Sequence, residues 1–206
     1  NPEFTPHGSC RVCTVDVDGR MVSACTQPAA EGQEVVNNGD PVNHYRRRLL
    51  QMLFVEGNHV CPGCEKSGAC QLQAVAYYTG MLAPHFTHFF PRREVDASHP
   101  DTVIDFNRCI LCELCVRASR DVDGKNVFSI SGRGIQSRLI INSNTGRLGD
   151  SDYDRADKAA SVCPVGAILP KHQGYEVPIG ERLYDQRPIS VVGDVAQAKQ
   201  GDNGDG

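Results

Sequence analysis

Ten cysteines, arranged as three groups and one isolated position, are the residues of this sequence that could do chemistry. They are Cys10, Cys13 and Cys25, then Cys61, Cys64 and Cys70, then Cys109, Cys112 and Cys115, and finally Cys163. An even number of cysteines permits disulfides, but disulfide frameworks are typical of short secreted chains, whereas CxxC groups in an intracellular chain favour metal or redox chemistry. We therefore interpret these cysteines as metal ligands.

The third group and the isolated cysteine have the spacing of an iron–sulfur site. The stretch CILCELC places Cys109, Cys112 and Cys115 at i, i+3 and i+6, and Cys163 is followed by Pro164. This pattern is typical of bacterial-type [4Fe–4S] ligation, whereas zinc sites usually pair two CxxC elements across a longer loop. Because the sequence has no second triplet of this form to take Cys163, we predict one [4Fe–4S] cluster bound by these cysteines.

The second group, CPGCEKSGAC, has three cysteines and needs a fourth ligand. The other cysteines can be assigned elsewhere, and His59 stands two positions before Cys61. Imidazole ligates iron as well as zinc, and a neutral ligand in place of a thiolate raises cluster potential. We predict a second [4Fe–4S] cluster held by His59, Cys61, Cys64 and Cys70. Two simpler interpretations stay open here: His59 as a surface or capping residue, and the group as a Cys₃His zinc knuckle.

The first group is incomplete. GSCRVC is followed, after eleven residues, by Cys25, which is similar to the loop of plant-type [2Fe–2S] centres, where one more cysteine precedes the pair. Thr5 occupies the position that this spacing gives to that cysteine. Since the chain opens without an initiator methionine, we expect the fourth ligand upstream of Asn1, with Cys10, Cys13 and Cys25 holding a [2Fe–2S] cluster.

Composition excludes several classes of protein. The 206 residues are 40% hydrophobic, which is enough for a packed interior, and the net charge is −4. Basic residues are scattered apart from the run at 46–48, so no nucleic-acid partner is expected. No apolar run approaches the roughly 20 residues of a membrane span, and no signal peptide is recognisable, so we expect a cytoplasmic protein without membrane insertion. SGRG at 131–134 lacks the spacing of a nucleotide-binding fingerprint.

Secondary-structure patterns predict the elements that position the first two groups. RVCTVDVDGRMVSACT alternates apolar and polar residues about Asp18 and Gly19, which predicts a β-hairpin. Residues 42–55 have helical periodicity ending at Gly57, and GACQLQAVAYYTG predicts a second helix ending at Gly80. Residues 82–100 lack clear periodicity and are interpreted as an ordered linker.

A small ferredoxin-like region is predicted from Val103 onwards. It has a short helix after Cys112, strands near 126–131 and 136–142, and a helix near 153–162. Beyond Ile168 no regular period persists, and the last residues have the composition of a disordered tail.

The predicted fold class is therefore α+β, with four segments. Residues 1–40 are the remnant of a β-grasp [2Fe–2S] ferredoxin domain, and residues 41–100 a small helical domain with a His/Cys-ligated [4Fe–4S] cluster. Residues 101–170 are a ferredoxin-like [4Fe–4S] domain, and residues 171–206 an extended tail that first contacts a partner and then becomes disordered.

Four motifs together resemble a known family: GSCRVC, CPGCEKSGACQLQ, RCILCELCVR and CPVGAI. In this order they look like the N-terminal iron–sulfur region of the large electron-wire subunit of complex I, and like the small iron–sulfur subunit of NAD-reducing soluble [NiFe] hydrogenases. In complex I the ligating histidine stands four residues before the first cysteine, where this chain has Gly57. The shortened NHxC form favours the hydrogenase family, as does the resemblance of GYEVPIGERLYDQRPI to that subunit's tail.

The resemblance implies a function. The chain would be the non-catalytic electron-transfer subunit of a hydrogen:NAD⁺ oxidoreductase, carrying one [2Fe–2S] and two [4Fe–4S] clusters. Its partners would be an FMN- and NAD-binding diaphorase subunit and the hydrogenase small subunit, and through the latter the [NiFe] large subunit. Two alternatives stay open: a truncated electron-wire subunit of complex I or of NAD-dependent formate dehydrogenase, and a zinc-binding interaction module.

Overall fold

Short helices and strands joined by long connections make up the computed structural model, which describes residues 3–174 together with Pro178, Gly180 and Glu181. The helices are α1 (Asp40–Glu56), α2 (Gln71–Tyr78), α3 (Leu114–Asp121) and α4 (Lys158–Ser161). The strands are β1 (Thr14–Val17), β2 (Arg20–Ser23), β3 (Val35–Val36), β4 (Val95–Asp96), β5 (Thr102–Asp105), β6 (Phe128–Ser131), β7 (Arg138–Ile141) and β8 (Ile168–Pro170). Helices and sheets are thus mixed, as an α+β class requires.

Near the start of the chain, a three-stranded antiparallel sheet has the order β2-β1-β3. The predicted hairpin is confirmed: β1 and β2 pair with Val17 opposite Arg20, across the turn at Asp18 and Gly19. Both turn residues have positive φ, 51° and 79°, which is the conformation of the tight turns that match strand twist. The turn fixes the register of the hairpin, and the residues flanking it include all three cysteines of the first group.

The two longer helices of the first half of the chain lie where periodicity predicts them. Helix α1 has Pro41 in its first turn and ends at Gly57, and α2 begins directly after Cys70. Their buried faces pack with part of the chain that follows Cys163 in one apolar core, formed by Leu50, Leu72, Ala76, Met81, Val165 and Ala167. This core therefore joins segments that are far apart in sequence.

The second half of the chain has its own core around Phe128, Ile104 and Leu148, each with no exposed surface. One sheet has the order β4-β5-β8 and the other pairs β6 with β7, all antiparallel. Helix α3 confirms the predicted helix after Cys112, and β6 and β7 confirm the two predicted strands.

Three expectations for this half are corrected. The linker at 82–100 contains β4, which pairs with β5. Strand β8 continues past Ile168, where no regular structure was expected. Both strands have only two or three residues, which is too short to show a period in the sequence. The helix expected near 153–162 is reduced to α4. The carboxylate of Asp157 accepts from the backbone N–H of Asp154 at 2.8 Å, which holds a turn in place of a helix.

Two further sequence predictions, on the C-terminal tail and on membrane spanning, can be compared only with the described residues. Most of the predicted tail, 171–206, lies outside them. Within them, no helix combines the length and the apolar character needed to cross a bilayer.

Asp96 joins the linker to the second core, and its substitution is expected to destabilise the fold. Its side chain is 6% exposed, and its carboxylate accepts from the backbone N–H of Ser98 at 2.9 Å and of Leu148 at 2.7 Å. In Asp96→Asn one carboxylate oxygen becomes an N–H donor that faces another donor, so the free energy of unfolding should fall by roughly 2 kcal/mol in denaturant titration. Asp152→Asn, at an exposed position, should change it little; equal effects would contradict this role of Asp96.

Candidate metal centres

The four cysteines of the third predicted site line one cavity, whose volume of about 360 Å³ includes space open to solvent. They are Cys109, Cys112, Cys115 and Cys163. Apolar side chains form much of the remaining wall, among them Ile130, Leu139, Val165 and Ile168. The structure thus brings Cys163 to the CxxCxxC triplet across more than forty intervening residues.

Two residues between these cysteines have left-handed backbone, which is uncommon outside glycine. Leu111 has φ 53° and Glu113 has φ 59°. These reversals turn the chain between successive cysteines, so that all three thiols face the same cavity. They also direct backbone N–H groups inwards: that of Leu111 bonds to Cys109, and that of Leu114 to Cys112. Such hydrogen bonds favour a charged sulfur.

Burial has the opposite effect on the same thiols. It raises the pKa of Cys109 to about 11 and that of Cys112 to about 12, although backbone N–H groups partly oppose the rise. The pKa of Cys115 is also raised well above its usual value, first by burial and then by the neighbouring cysteines. On their own these thiols are neutral at physiological pH, so a positively charged group in the cavity is needed to make them thiolates.

The second predicted site is a cavity of similar size, about 340 Å³ when the space open to solvent is included. Its possible ligands are His59, Cys61, Cys64 and Cys70. The short segment after α1 contains His59, a 3₁₀ turn at Cys61–Gly63 contains the first cysteine, and Cys70 is the residue that precedes α2. Burial raises the pKa of Cys61 to about 11 and also raises that of Cys70.

The imidazole of His59 is available as a ligand. Its Nε2 is buried and finds no hydrogen-bond partner among the described residues. Burial, with a smaller contribution from the charge of Arg108, lowers the pKa of His59 to about 4, so the ring is neutral at physiological pH. A neutral imidazole with a free nitrogen lone pair is the form that binds metals. The orphaned Nε2 therefore fits a site for a metal group.

Gly57 makes room for that ring. A Cβ atom at position 57 would lie 2.6 Å from Nε2 of His59 and 3.0 Å from the backbone oxygen of Asn107. The backbone of Gly57 has an extended φ of −119°, so space and not conformation requires glycine. The ring of His59 thus folds back over Gly57.

Two further residues of this site have no signal in the spacing of the cysteines. Gly166 packs so closely on Cys64 that a Cβ atom there would lie 2.7 Å from the sulfur. The guanidinium of Arg108 lies 3.6 Å from the same sulfur. Both reach Cys64 through tertiary packing, which a single sequence does not reveal.

The first predicted site is more open. Cys10, Cys13 and Cys25 line a pocket of about 1080 Å³, a volume that includes space open to solvent, and Cys10 and Cys25 are exposed. Burial raises the pKa of Cys25, and the neighbouring thiol of Cys13 adds to the rise. Within the described residues, Cys112 is the one other cysteine on this pocket's wall, and it also belongs to the third site.

The three sites share walls. Cys112 lines both the first pocket and the third cavity, and Leu72 lines both the first pocket and the second cavity. Cys70 of the second site and Cys109 and Cys163 of the third pack on the same apolar core. The predicted ligand groups therefore lie next to one another.

No three Cys, His, Asp or Glu side chains in the described part of the chain converge closely enough for a single metal ion. An iron–sulfur cluster is larger than an ion, because its ligands surround several irons and inorganic sulfides. Two cavities, each lined by four sulfur or nitrogen donors, match that larger kind of group in both number and type of ligand.

Three family models together match most of residues 1–169. Residues 1–39 match a 2Fe–2S iron–sulfur cluster binding domain. Residues 46–85 match the NADH-ubiquinone oxidoreductase-G iron–sulfur binding region, and residues 103–169 match a 4Fe–4S single cluster domain. These descriptions name both 2Fe–2S and 4Fe–4S binding domains, and they do not support the zinc-binding alternative.

Curated relatives include hydrogenase subunits. The chain is 42% identical over 183 residues to the NAD-reducing hydrogenase HoxS subunit gamma of Cupriavidus necator, covering 88% of this chain and 77% of that subunit. It is 29% identical over 171 residues to the NADPH-Fe(3+) oxidoreductase subunit alpha of Geobacter sulfurreducens, of which it spans only 20%. Among solved structures, an NAD⁺-reducing [NiFe]-hydrogenase in the H₂-reduced state matches with TM-score 0.86 and 54% identity, covering 91% of this chain and 80% of that chain.

Gly166→Ala is expected to damage the second site selectively. The added methyl group would overlap the sulfur of Cys64, so that sulfur must move and iron retained at this site should fall. Gly63→Ala is the matched control, because it lies between Cys61 and Cys64 and its Cβ atom would meet nothing within 4 Å. Iron analysis of anaerobically purified protein should show a loss of about four irons per chain for Gly166→Ala alone. Equal iron content in the two variants would contradict the close approach at Gly166.

Proposed function

The chain belongs to the family of iron–sulfur gamma subunits of NAD-reducing hydrogenases, and on that premise we propose that it relays electrons between a hydrogenase module and a flavin- and NAD-binding diaphorase module. The reaction of the whole assembly would be H₂ + NAD⁺ → NADH + H⁺. The observation that carries this proposal is the pair of adjacent cavities, each lined by four sulfur or nitrogen donors. The chain's own part is to hold and insulate redox groups.

The proposed ligand sets follow the three groups. They are Cys10, Cys13 and Cys25 for a [2Fe–2S] cluster, His59, Cys61, Cys64 and Cys70 for a [4Fe–4S] cluster, and Cys109, Cys112, Cys115 and Cys163 for a second [4Fe–4S] cluster. When bound, such clusters supply reversible one-electron chemistry. The first set has three members in this sequence, and its fourth ligand stays a prediction.

The second ligand set is supported by the unpaired Nε2 of His59. A buried polar nitrogen without a partner destabilises a fold unless a ligand satisfies it. The ring also lies over Gly57, where a side chain would overlap it, so a histidine at position 59 and a glycine at position 57 are mutually compatible. These contacts favour a ligand role over a surface or capping role for His59.

The residues around the proposed ligands keep water away and favour charged sulfur. Apolar walls reduce solvent access, and backbone N–H groups at Leu111 and Leu114 donate towards the cysteine sulfurs. Both factors set the potential of a bound cluster. The shared walls at Cys112 and Leu72 keep the sites close, which is the arrangement that electron relay requires.

The proposed partners come from the relatives. The solved neighbour is an NAD⁺-reducing [NiFe]-hydrogenase. By analogy the chain would contact a diaphorase subunit on one side and the hydrogenase small subunit, backed by the [NiFe] large subunit, on the other. The proposed domains are 1–40, 41–100 and 101–170, one for each ligand set, with 171–206 as a partner-contacting tail.

His59→Cys is expected to keep the second cluster and lower its midpoint potential, because a charged thiolate replaces a neutral imidazole. Redox titration monitored by electron paramagnetic resonance (EPR), performed on the intact assembly, measures the shift. His44→Cys, at an exposed position of α1, is the matched control and should leave the potential unchanged. An unshifted potential in His59→Cys would show that His59 is not a ligand.

Electron relay is tested by separating the partial reactions of the assembly. Cys163→Ser should greatly reduce H₂-driven NAD⁺ reduction, because it removes a ligand from the third site. H₂-driven dye reduction at the hydrogenase module and NADH-driven dye reduction at the diaphorase module should persist. Unimpaired H₂-driven NAD⁺ reduction by the variant, or a wild-type assembly that holds molybdenum in place of nickel, would contradict the proposed function.

A further inference from the structure

Arg108 places a positive charge directly beside the second site. Its Nη1 lies 3.6 Å from the sulfur of Cys64, within the range of a hydrogen bond to sulfur, although the two residues are 44 positions apart in the chain. The side chain lines the cavity and is 20% exposed. Arginine cannot be deprotonated in proteins, so this charge is permanent.

Two carboxylates hold the guanidinium in this position. Nη1 donates to Oε2 of Glu65 at 2.6 Å, and Nε pairs with Oδ2 of Asp105 at 2.9 Å. Asp105 is itself fixed, because its Oδ1 accepts from the backbone N–H of Asn107 at 3.0 Å. Nη1 also donates to the backbone oxygen of Gly166 at 3.4 Å. Arg108 is therefore clamped on several sides and not free to swing into solvent.

Gly166 permits the approach. A Cβ atom there would lie 2.7 Å from the sulfur of Cys64 and 3.4 Å from Nη1 of Arg108. Because Gly166 has no side chain, the sulfur of Cys64 and the guanidinium of Arg108 can approach each other next to its backbone. The clamp, the glycine and the sulfur form one packed unit at the rim of the second cavity.

We propose that Arg108 is a positioning residue that raises the reduction potential of the centre held by His59, Cys61, Cys64 and Cys70. The inference rests on the proposed function, in that it takes these residues as the ligands of a cluster. Reduction adds one negative charge to a cluster, and a fixed cation that donates to a ligand sulfur stabilises the more negative state. Its effect should be largest on this centre, since the guanidinium contacts the sulfur of Cys64.

Glu65 is expected to shift the reduction potential of the second centre in the direction opposite to that of Arg108. Its carboxylate accepts from the same Nη1 that faces Cys64, so it partly offsets the charge that the sulfur experiences. Removing the charge of Arg108 should lower the potential of the second centre. Removing the charge of Glu65 should raise it. A role in folding alone predicts no such pair of opposite shifts.

The test is EPR-monitored redox titration of the intact, anaerobically purified assembly. At the wild-type midpoint potential of the second centre, where half is reduced, Arg108→Met should leave clearly less than half reduced and Glu65→Gln clearly more than half. Arg108→Lys should lie between Arg108→Met and the wild type, because it keeps the charge but not the planar fork. Arg120→Met, which removes an exposed arginine on α3, is the matched control and should leave half reduced.

An unchanged potential in Arg108→Met with the second centre's signal retained, or shifts of the same sign in Arg108→Met and Glu65→Gln, would overturn the inference. If Arg108→Met loses the cluster, Glu65→Gln decides, and no shift in that variant overturns it. The failure of the proposed function looks different. In that case the wild-type assembly lacks the second centre's signal, or His59→Cys leaves its potential unchanged.

Discussion

A buried sulfur carries a negative charge only beside a compensating positive one, and the rest of this structure depends on that constraint. Burial raises the pKa of Cys109 and Cys112 to about 11 and about 12, so the protein surroundings alone favour neutral thiols. In the proposed cluster, iron would supply this positive charge, and each thiol would become a ligand. The same surroundings that oppose free thiolates keep water from a bound cluster, which suits a protein of this family to electron transfer.

The local backbone follows from the need to point several donors into one small space. Left-handed residues at Leu111 and Glu113 turn three cysteines to the same side, and this conformation is unfavourable unless the packing around it compensates. Two glycines have a related role in the second site, since Gly57 makes room for the ring of His59 and Gly166 for the sulfur of Cys64. The geometry of the second site therefore depends on these two glycines as well as on the candidate ligands.

Local patterns made much of this predictable from the sequence. Cysteine spacing grouped the candidate ligands, and the turn at Asp18 and Gly19 and the helix end at Gly57 were each encoded by a few neighbouring residues. The contact of Arg108 with Cys64 was not predictable, because it spans 44 positions and depends on how the cores pack. Helix α4 was predicted too long because the side chain of Asp157 competes for backbone N–H groups.

These cysteines are proposed to hold iron and inorganic sulfide. Native mass spectrometry of this subunit, released anaerobically from its assembly, measures that claim directly as the mass in excess of the polypeptide. One binuclear and two cubane clusters predict an excess of about ten irons and about ten sulfides. A mass that instead corresponds to bound zinc ions, or to the loss of two hydrogens for each pair of cysteines joined as a disulfide, would contradict the account.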